Sequence, residues 1–282
     1  MNLAALVSVV EAFDQGNAIP YLGPGVLRMN GLANQLPCSP SALAGRMTAK
    51  CSVPHKIKNN LTAAAQFIEN FKHRRTVRST MTEAFGSDSQ PTLLHTLLAN
   101  QPLLPLLVHA WYDDLPQKAL RSRADWGMVQ GVSQSEHYGN WVHYFDANGL
   151  QTENQSAGNA HAWKTLLYQP LGSVWPAHNY LVSDSDFVEV LTEIDIQTPI
   201  PEAVQEIRKG RSFLFLGCRF ANQLDRLFAR QIMKRSSDQH WAVLPEETTL
   251  NETRFLARHN IERIPMALEE FVAALAQEQM VH

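Results

Sequence analysis

Ser212-Phe213-Leu214-Phe215-Leu216 runs straight into Gly217-Cys218-Arg219-Phe220, and this stretch decides the fold. Four large apolar residues in succession leave no polar face, so the segment reads as a strand covered on both sides, as in a parallel sheet. The glycine that follows ends it in a tight turn. Working outward, the same form recurs. Ala18–Leu22 stops at Gly23-Pro24-Gly25, and Leu103–His109 stops at Trp111-Tyr112-Asp113-Asp114. Lys164–Tyr168 stops at Pro170-Leu171-Gly172-Ser173, while His240–Leu244 and Ile261–Ile264 are further short strands.

Between these runs the apolar residues take helical spacing. Helices are expected over Ala4–Phe13, from Ser39-Pro40 to Met47, and over Leu61–Phe71, Arg74–Phe85 and Pro91–Ala99. Later ones cover Asp184–Glu193, Pro201–Lys209, Asn222–Lys234, Asn251–His259 and Met266–Gln277. Asp225 and Arg230 are expected on exposed faces of the Asn222–Lys234 helix. Strands alternating with helices specify an α/β, Rossmann-like fold: one domain over 1–282, with a mainly parallel sheet flanked by helices. The character changes over about 121–162, where Trp126–Val129 and Trp141–Phe145 read as strands before a polar loop, Gln151–Gly158. This is expected to be a β-rich insertion with a flexible connection.

Composition narrows the function classes. With 24 Lys and Arg against 27 Asp and Glu, the net charge of −3 gives no electrostatic footprint for nucleic acid or an acidic membrane. No apolar run reaches the roughly 20 residues that span a bilayer. Met1–Asp14 lacks the basic start and cleavage site of a secretory signal. The three cysteines, Cys38, Cys51 and Cys218, form no Cys-x-x-Cys pair. They read as small buried hydrophobes in a reducing, cytoplasmic compartment, with no zinc ribbon or disulfide framework.

In an open parallel sheet, ligands bind beyond the carboxyl ends of the strands. The turns at Gly23–Leu27, Trp111–Leu115 and Gly217–Phe220 are therefore the candidate site. Taken in order, they resemble the sirtuin-like family. "IPYLGPGVL" is similar to its first strand and Gly-Ala-Gly-x-Ser phosphate loop. "PTLLHTLLANQPLLPLLVHAWYDDL" is similar to its Thr-x-Asn-Tyr-Asp-x-Leu segment, "LLYQPLGSVWPAHNYLVSDSDFVEVL" to its Lys-Leu-His-Gly segment, and "FLFLGCRFANQLDRLF" to its Gly-Tyr-Ser-Leu-x-Asp turn. "RHNIERIPMALEEFVAAL" resembles the family's ending.

The resemblance implies an NAD or ADP-ribose site at Gly23, Pro24, Gly25, Tyr112, Asp113, Gly172, Gly217 and Cys218. The departures imply that this site is vestigial. Pro24, in the middle of the phosphate loop, has no N–H to offer, and the polar residue expected after it is Leu27. Trp111 stands at the position of the ribose-binding Asn and Leu171 at that of the general-base His, which Leu cannot replace. His109 and His178 are the remaining candidates for a base from a neighbouring position, with Asp113 the other surviving catalytic candidate. The matching residues shape the backbone; the missing ones do chemistry.

Two functions of different class follow from the resemblance. The first is a non-enzymatic accessory factor that binds another protein. The wording Leu-Gly-Pro-Gly and Pro-Leu-Gly-Ser resembles that of nitrogen-fixation gene sets, which implies a nitrogenase or a nitrogenase-associated partner. The second is an NAD hydrolase of the antiphage-defence kind. Two other features have two readings each. Lys72-His73-Arg74-Arg75 with Arg78 is either an anion- or acid-binding patch or a solvated helix face. The tryptophans at 126, 141, 163 and 175 are either interface anchors or core fillers.

Overall fold

The computed structural model describes residues 3–137, 139–152, 163–193, 200–245 and 247–279. A nine-stranded sheet in the order β11-β10-β9-β1-β2-β6-β3-β4-β5 forms its middle layer. The strands are β1 (Ala18–Leu22), β2 (Leu106–His109), β3 (Trp126–Gly131), β4 (Val142–Asp146), β5 (Gln151–Thr152), β6 (Thr165–Gln169), β9 (Ser212–Leu216), β10 (His240–Val243) and β11 (Ile261–Ile264). A separate hairpin pairs β7 (Gly172–Ser173) with β8 (Asn179–Tyr180). All pairings from β11 across to β3 are parallel, and only β3–β4 and β4–β5 are antiparallel. β9 lies between β10 and β1, as its two apolar faces require.

Alternation along the strands splits the core into two layers. Ile19, Tyr21, Leu106, Val108, Phe213 and Phe215 point to one side. Ala18, Leu22, Leu107, Leu214 and Leu216 point to the other. The first side is covered by helices α2 (Pro40–Lys50), α3 (Leu61–Lys72), α4 (Arg74–Phe85), α9 (Gln223–Ile232) and α10 (Leu250–Arg258). The second is covered by α1 (Leu3–Asp14), α5 (Leu93–Ala99) and α11 (Leu268–Gln279). Phe213 and Leu214 are fully buried. Each such side chain contributes about 1.5–3 kcal/mol by leaving water, so both layers depend on the same five-residue strand.

The helices begin where the sequence provides caps. Ser39 accepts from the Ala42 amide, with Pro40 in the first turn of α2, and Asn60 accepts from Ala63 at the start of α3. Thr249 and Glu252 form a reciprocal capping box on α10. The remaining helices are α6 (Leu115–Leu120), α7 (Asp184–Glu193) and α8 (Glu202–Ile207).

Several expectations shift. The strand read from Leu103 begins only at Leu106. The segment after Gly23 is a 3-10 helix over Pro24–Asn34, which the sequence did not signal. Trp126–Gly131 is a parallel member of the main sheet, and β4 and β5 extend it as antiparallel edge strands. Of the loop read at Gln151–Gly158, Gln151–Thr152 is β5, and 153–162 lie outside the described residues. Among the described residues, no helix is long and apolar enough to cross a membrane.

Candidate functional site

A cleft of about 730 Å³ opens beyond the carboxyl ends of β1, β2, β9 and β10. Gly23, Ala110, Gly217 and Leu244, which follow those four strands, all line it. This is where an open parallel sheet binds ligands, and the size suits a cofactor or drug-sized molecule. Of the site residues read from sequence, Gly23, Pro24, Gly25, Trp111, Tyr112, Leu171, Gly217 and Cys218 line the cleft.

The two glycine turns are pressed together. A Cβ at Gly25 would lie 2.6 Å from the Gly217 carbonyl oxygen, and one at Gly23 would lie 2.7 Å from the same atom. Gly217 has φ +65, and a Cβ there would meet the Val26 nitrogen at 2.3 Å. Glycine is required at this contact by close approach and, at Gly217, by the left-handed backbone. The Gly25 amide donates to the Gly217 carbonyl at 2.8 Å and the Gly23 amide to the Leu216 carbonyl at 2.9 Å. The Val26 amide donates to the Gly23 carbonyl at 3.3 Å. Pro24 contributes none. The amides of this first turn, which would face a phosphate, are therefore engaged within the protein.

Trp111 lines the cleft but is 3% exposed. Its indole N–H donates to the Pro37 carbonyl at 2.8 Å, and its rings pack against Phe85 and Tyr112. Tyr112 is buried with its hydroxyl donating to the Leu181 carbonyl at 2.8 Å, and burial pushes its pKa far up. Burial likewise raises the Cys218 thiol well above the ordinary range, which disfavours its thiolate form.

His109, Asp113, Gly172 and His178 do not line the cleft. His109 Nε2 and Asp113 Oδ2 are 3.1 Å apart, and both residues are buried. Burial pushes the Asp113 carboxyl up, but His109, His95 and the Leu115 amide together hold it below the usual range. The Asp113 Oδ1 accepts from the Leu115 amide at 3.2 Å, so the pair pins the end of β2 to the start of α6. Gly172 has φ +79, and a Cβ there would lie 2.1 Å from the Asn179 carbonyl oxygen, so it serves the β7–β8 hairpin. His178 is exposed outside the cleft.

One cleft residue that the sequence places on a solvated face rather than in the site is Asp225. Asp225 is half-buried in the cleft wall, not on an exposed face. Burial raises its carboxyl to about 7. The signal for it is the Asn222-x-x-Asp225 spacing immediately after a glycine turn, which places a helix's first turn at a strand's carboxyl end. Arg219, in the Gly217–Phe220 turn read from sequence, also lines the cleft, and its guanidinium grips buried Glu252 with bonds of 2.8 and 2.9 Å.

The other features resolve toward packing. Trp126 is 1% exposed, and the rings of Trp163 and Trp175 fill the spaces beside Gly127 and Gly149. Within the basic cluster, Arg74 bridges Glu69, Glu136 and fully buried Asp186. Cys38 and Cys51 are half-buried, Cys218 is buried, and none is in a disulfide. Among the described residues, no group of three or more His, Cys, Asp or Glu side chains is placed to hold a metal ion.

The family model described as SIR2-like domain matches residues 105–264, more than half of the chain. The matched stretch runs from just before β2 to the end of β11. No curated protein matches the chain.

Proposed function

This chain belongs to the SIR2-like domain family, and on that premise we propose that it keeps the family's cleft without its reaction and serves as a non-enzymatic, protein-binding accessory factor. The observation that carries the reading is the latch between the two glycine turns. Gly23, Gly25 and Val26 spend their amides on Leu216, Gly217 and Gly23, and Pro24 has none. The residues present do not fit a dinucleotide. An indole committed to the Pro37 carbonyl stands where a ribose contact is needed, an aliphatic side chain where a base is needed, and a carboxyl group, Asp225, in the cleft wall. His109, the alternative base, is sealed 2% exposed against Asp113.

The face best suited to a partner is the end of α3. Phe71 is 66% exposed and packs at a tilt against Phe67, and Lys72 and Arg75, which follow in sequence, are exposed. An exposed aromatic ring with cations close in the chain suits a segment that carries carboxylates beside an apolar side chain. The partner class implied by the sequence resemblance is a nitrogenase or nitrogenase-associated protein. Biolayer interferometry with purified nitrogenase components should show binding that Phe71→Glu weakens. No binding, or binding indifferent to this substitution, refutes the partner or the face respectively. A nicotinamide-release assay tests the loss of chemistry. Turnover of NAD near ordinary enzyme rates, about 1 per second or faster, would favour the alternative, an NAD hydrolase.

A further inference from the structure

The amides of the first glycine turn are engaged within the protein, the cleft keeps its volume, and one carboxylate oxygen in its wall takes no hydrogen bond from the described residues. Asp225 Oδ2 accepts from Asn222 Nδ2 at 2.6 Å, and the Asp225 amide is capped by Asn222 Oδ1 at 2.8 Å. Oδ1 of Asp225 has no hydrogen-bond partner among the described residues. The cations nearby are directed elsewhere. Arg226 donates to the carbonyls of Phe220 and Ala221 at 2.6 and 2.8 Å, and Arg219 holds Glu252. The other titratable groups that influence Asp225, or are influenced by it, are Tyr21, Tyr112, Cys218 and Glu252. None of these supplies a positive charge. Exposed Arg28 and Glu269 also line the cleft. The rest of the wall is largely apolar, with Leu171, Phe187, Phe220, Phe228 and Leu244 among its members.

From this geometry we infer that the cleft is a binding site for an amine- or amidine-bearing ligand with an aromatic or branched apolar body, whose cation pairs with Asp225. The apolar walls desolvate the body, and the ammonium or amidinium supplies the donors that Oδ1 lacks. An ion pair in such a partly desolvated pocket is stronger than on a surface. The inference rests on the reading that a dinucleotide is not the cleft's ligand, and it names the chemistry that takes its place. It also gives the raised Asp225 carboxyl a consequence. Around pH 7 the acid is half-ionised, so binding of a permanently protonated amine strengthens as pH rises from about 6 to about 8.

The test is calorimetric titration of the full chain with 2-naphthylmethylamine and with its neutral isostere 2-naphthalenemethanol. The amine should bind at least about tenfold more tightly than the alcohol at about pH 8. The preference should shrink at about pH 6, and Asp225→Asn, which keeps the Asn222 contact, should abolish it. The pH series on the unmodified chain keeps the inference testable should that variant fold poorly. Equal binding of the two probes, binding of neither, or a preference that survives Asp225→Asn overturns it. Displacement of the amine by ADP-ribose at comparable concentration overturns both this inference and the functional reading beneath it. Failure of the amine together with failure of ADP-ribose overturns this inference alone.

Discussion

Replacing Gly25 with alanine tests whether the first glycine turn is a structural latch. The new Cβ would lie 2.6 Å from the Gly217 carbonyl oxygen, 3.0 Å from its Cα and 3.1 Å from its carbonyl carbon. All three are backbone atoms, so no side chain can swing away, and the two turns must part. Overpacking of this kind costs about 1–3 kcal/mol. Lengthening or losing the 2.8 Å bond from the Gly25 amide to Gly217 adds about 0.5–1.5 kcal/mol. The sum is a destabilisation of roughly 2–4 kcal/mol, or a fall of about 1 M in urea midpoint if the slope is about 3 kcal/mol/M. Gly45→Ala is the matched control. Gly45 lies within α2 with nothing within 4 Å of its Cβ position, and alanine there should stabilise by about 0.5–1 kcal/mol. A Gly25→Ala midpoint no lower than that of the unmodified chain would refute the latch.

Trp111→Asn, which restores the residue type expected from the family, should destabilise by about 3–5 kcal/mol, since the indole's packing and its bond to Pro37 are lost; thermal unfolding measures this. Arg74→Ala should cost about 3 kcal/mol in chemical denaturation, because Asp186 is left buried without its cation. The loss is held to that level by the Val182 and Ser183 amides and the Ser133 hydroxyl, which still reach the carboxylate. Glu252 is held at about 2, below its ordinary 4.5, first by its bond to Arg219 and then by the Thr249 and Phe220 amides, against the upward push of burial. A depressed carboxyl stabilises the fold above its unfolded pKa, and that stability is lost as pH falls through the folded value. The unmodified chain should therefore be more stable than Glu252→Gln at neutral pH, with the gap closing between about 4.5 and about 2. A gap independent of pH would contradict the assignment.

The central sheet was legible because its strands are apolar on both faces, and Phe213–Leu216 can occupy no other place. β3 was harder to place. Gly127 and Gly131 interrupt its apolar run, and its parallel pairing with β6 joins residues about 40 positions apart, which no local pattern encodes. The 3-10 helix after Pro24 has neither a helical nor a strand period. At the site, strand ends and glycine turns located the cleft, since those positions are set by backbone geometry. Asp225 was misread because its neighbours on α9, Arg226 and Arg230, suggest a solvated face; only the approach of the β1 and β10 ends turns that face into a wall. Trp111 and Leu171 stood out as departures from the family pattern, but the commitment of the indole N–H to Pro37 is a contact across 74 residues. His109 shows the reverse limit. Its position near the turn suggested a base, whereas strand alternation sends its side chain to the other side of the sheet, beside Leu107.

The most direct measurement is a calorimetric titration of ADP-ribose into the unmodified chain and into Pro24→Ala. Restoring one N–H should not restore an anion site while the Gly25 and Val26 amides remain engaged. Both proteins are therefore expected to bind more weakly than about 1 mM. Saturable binding to the unmodified chain at about 10 μM or tighter would contradict the proposal that this SIR2-like cleft does not hold a dinucleotide.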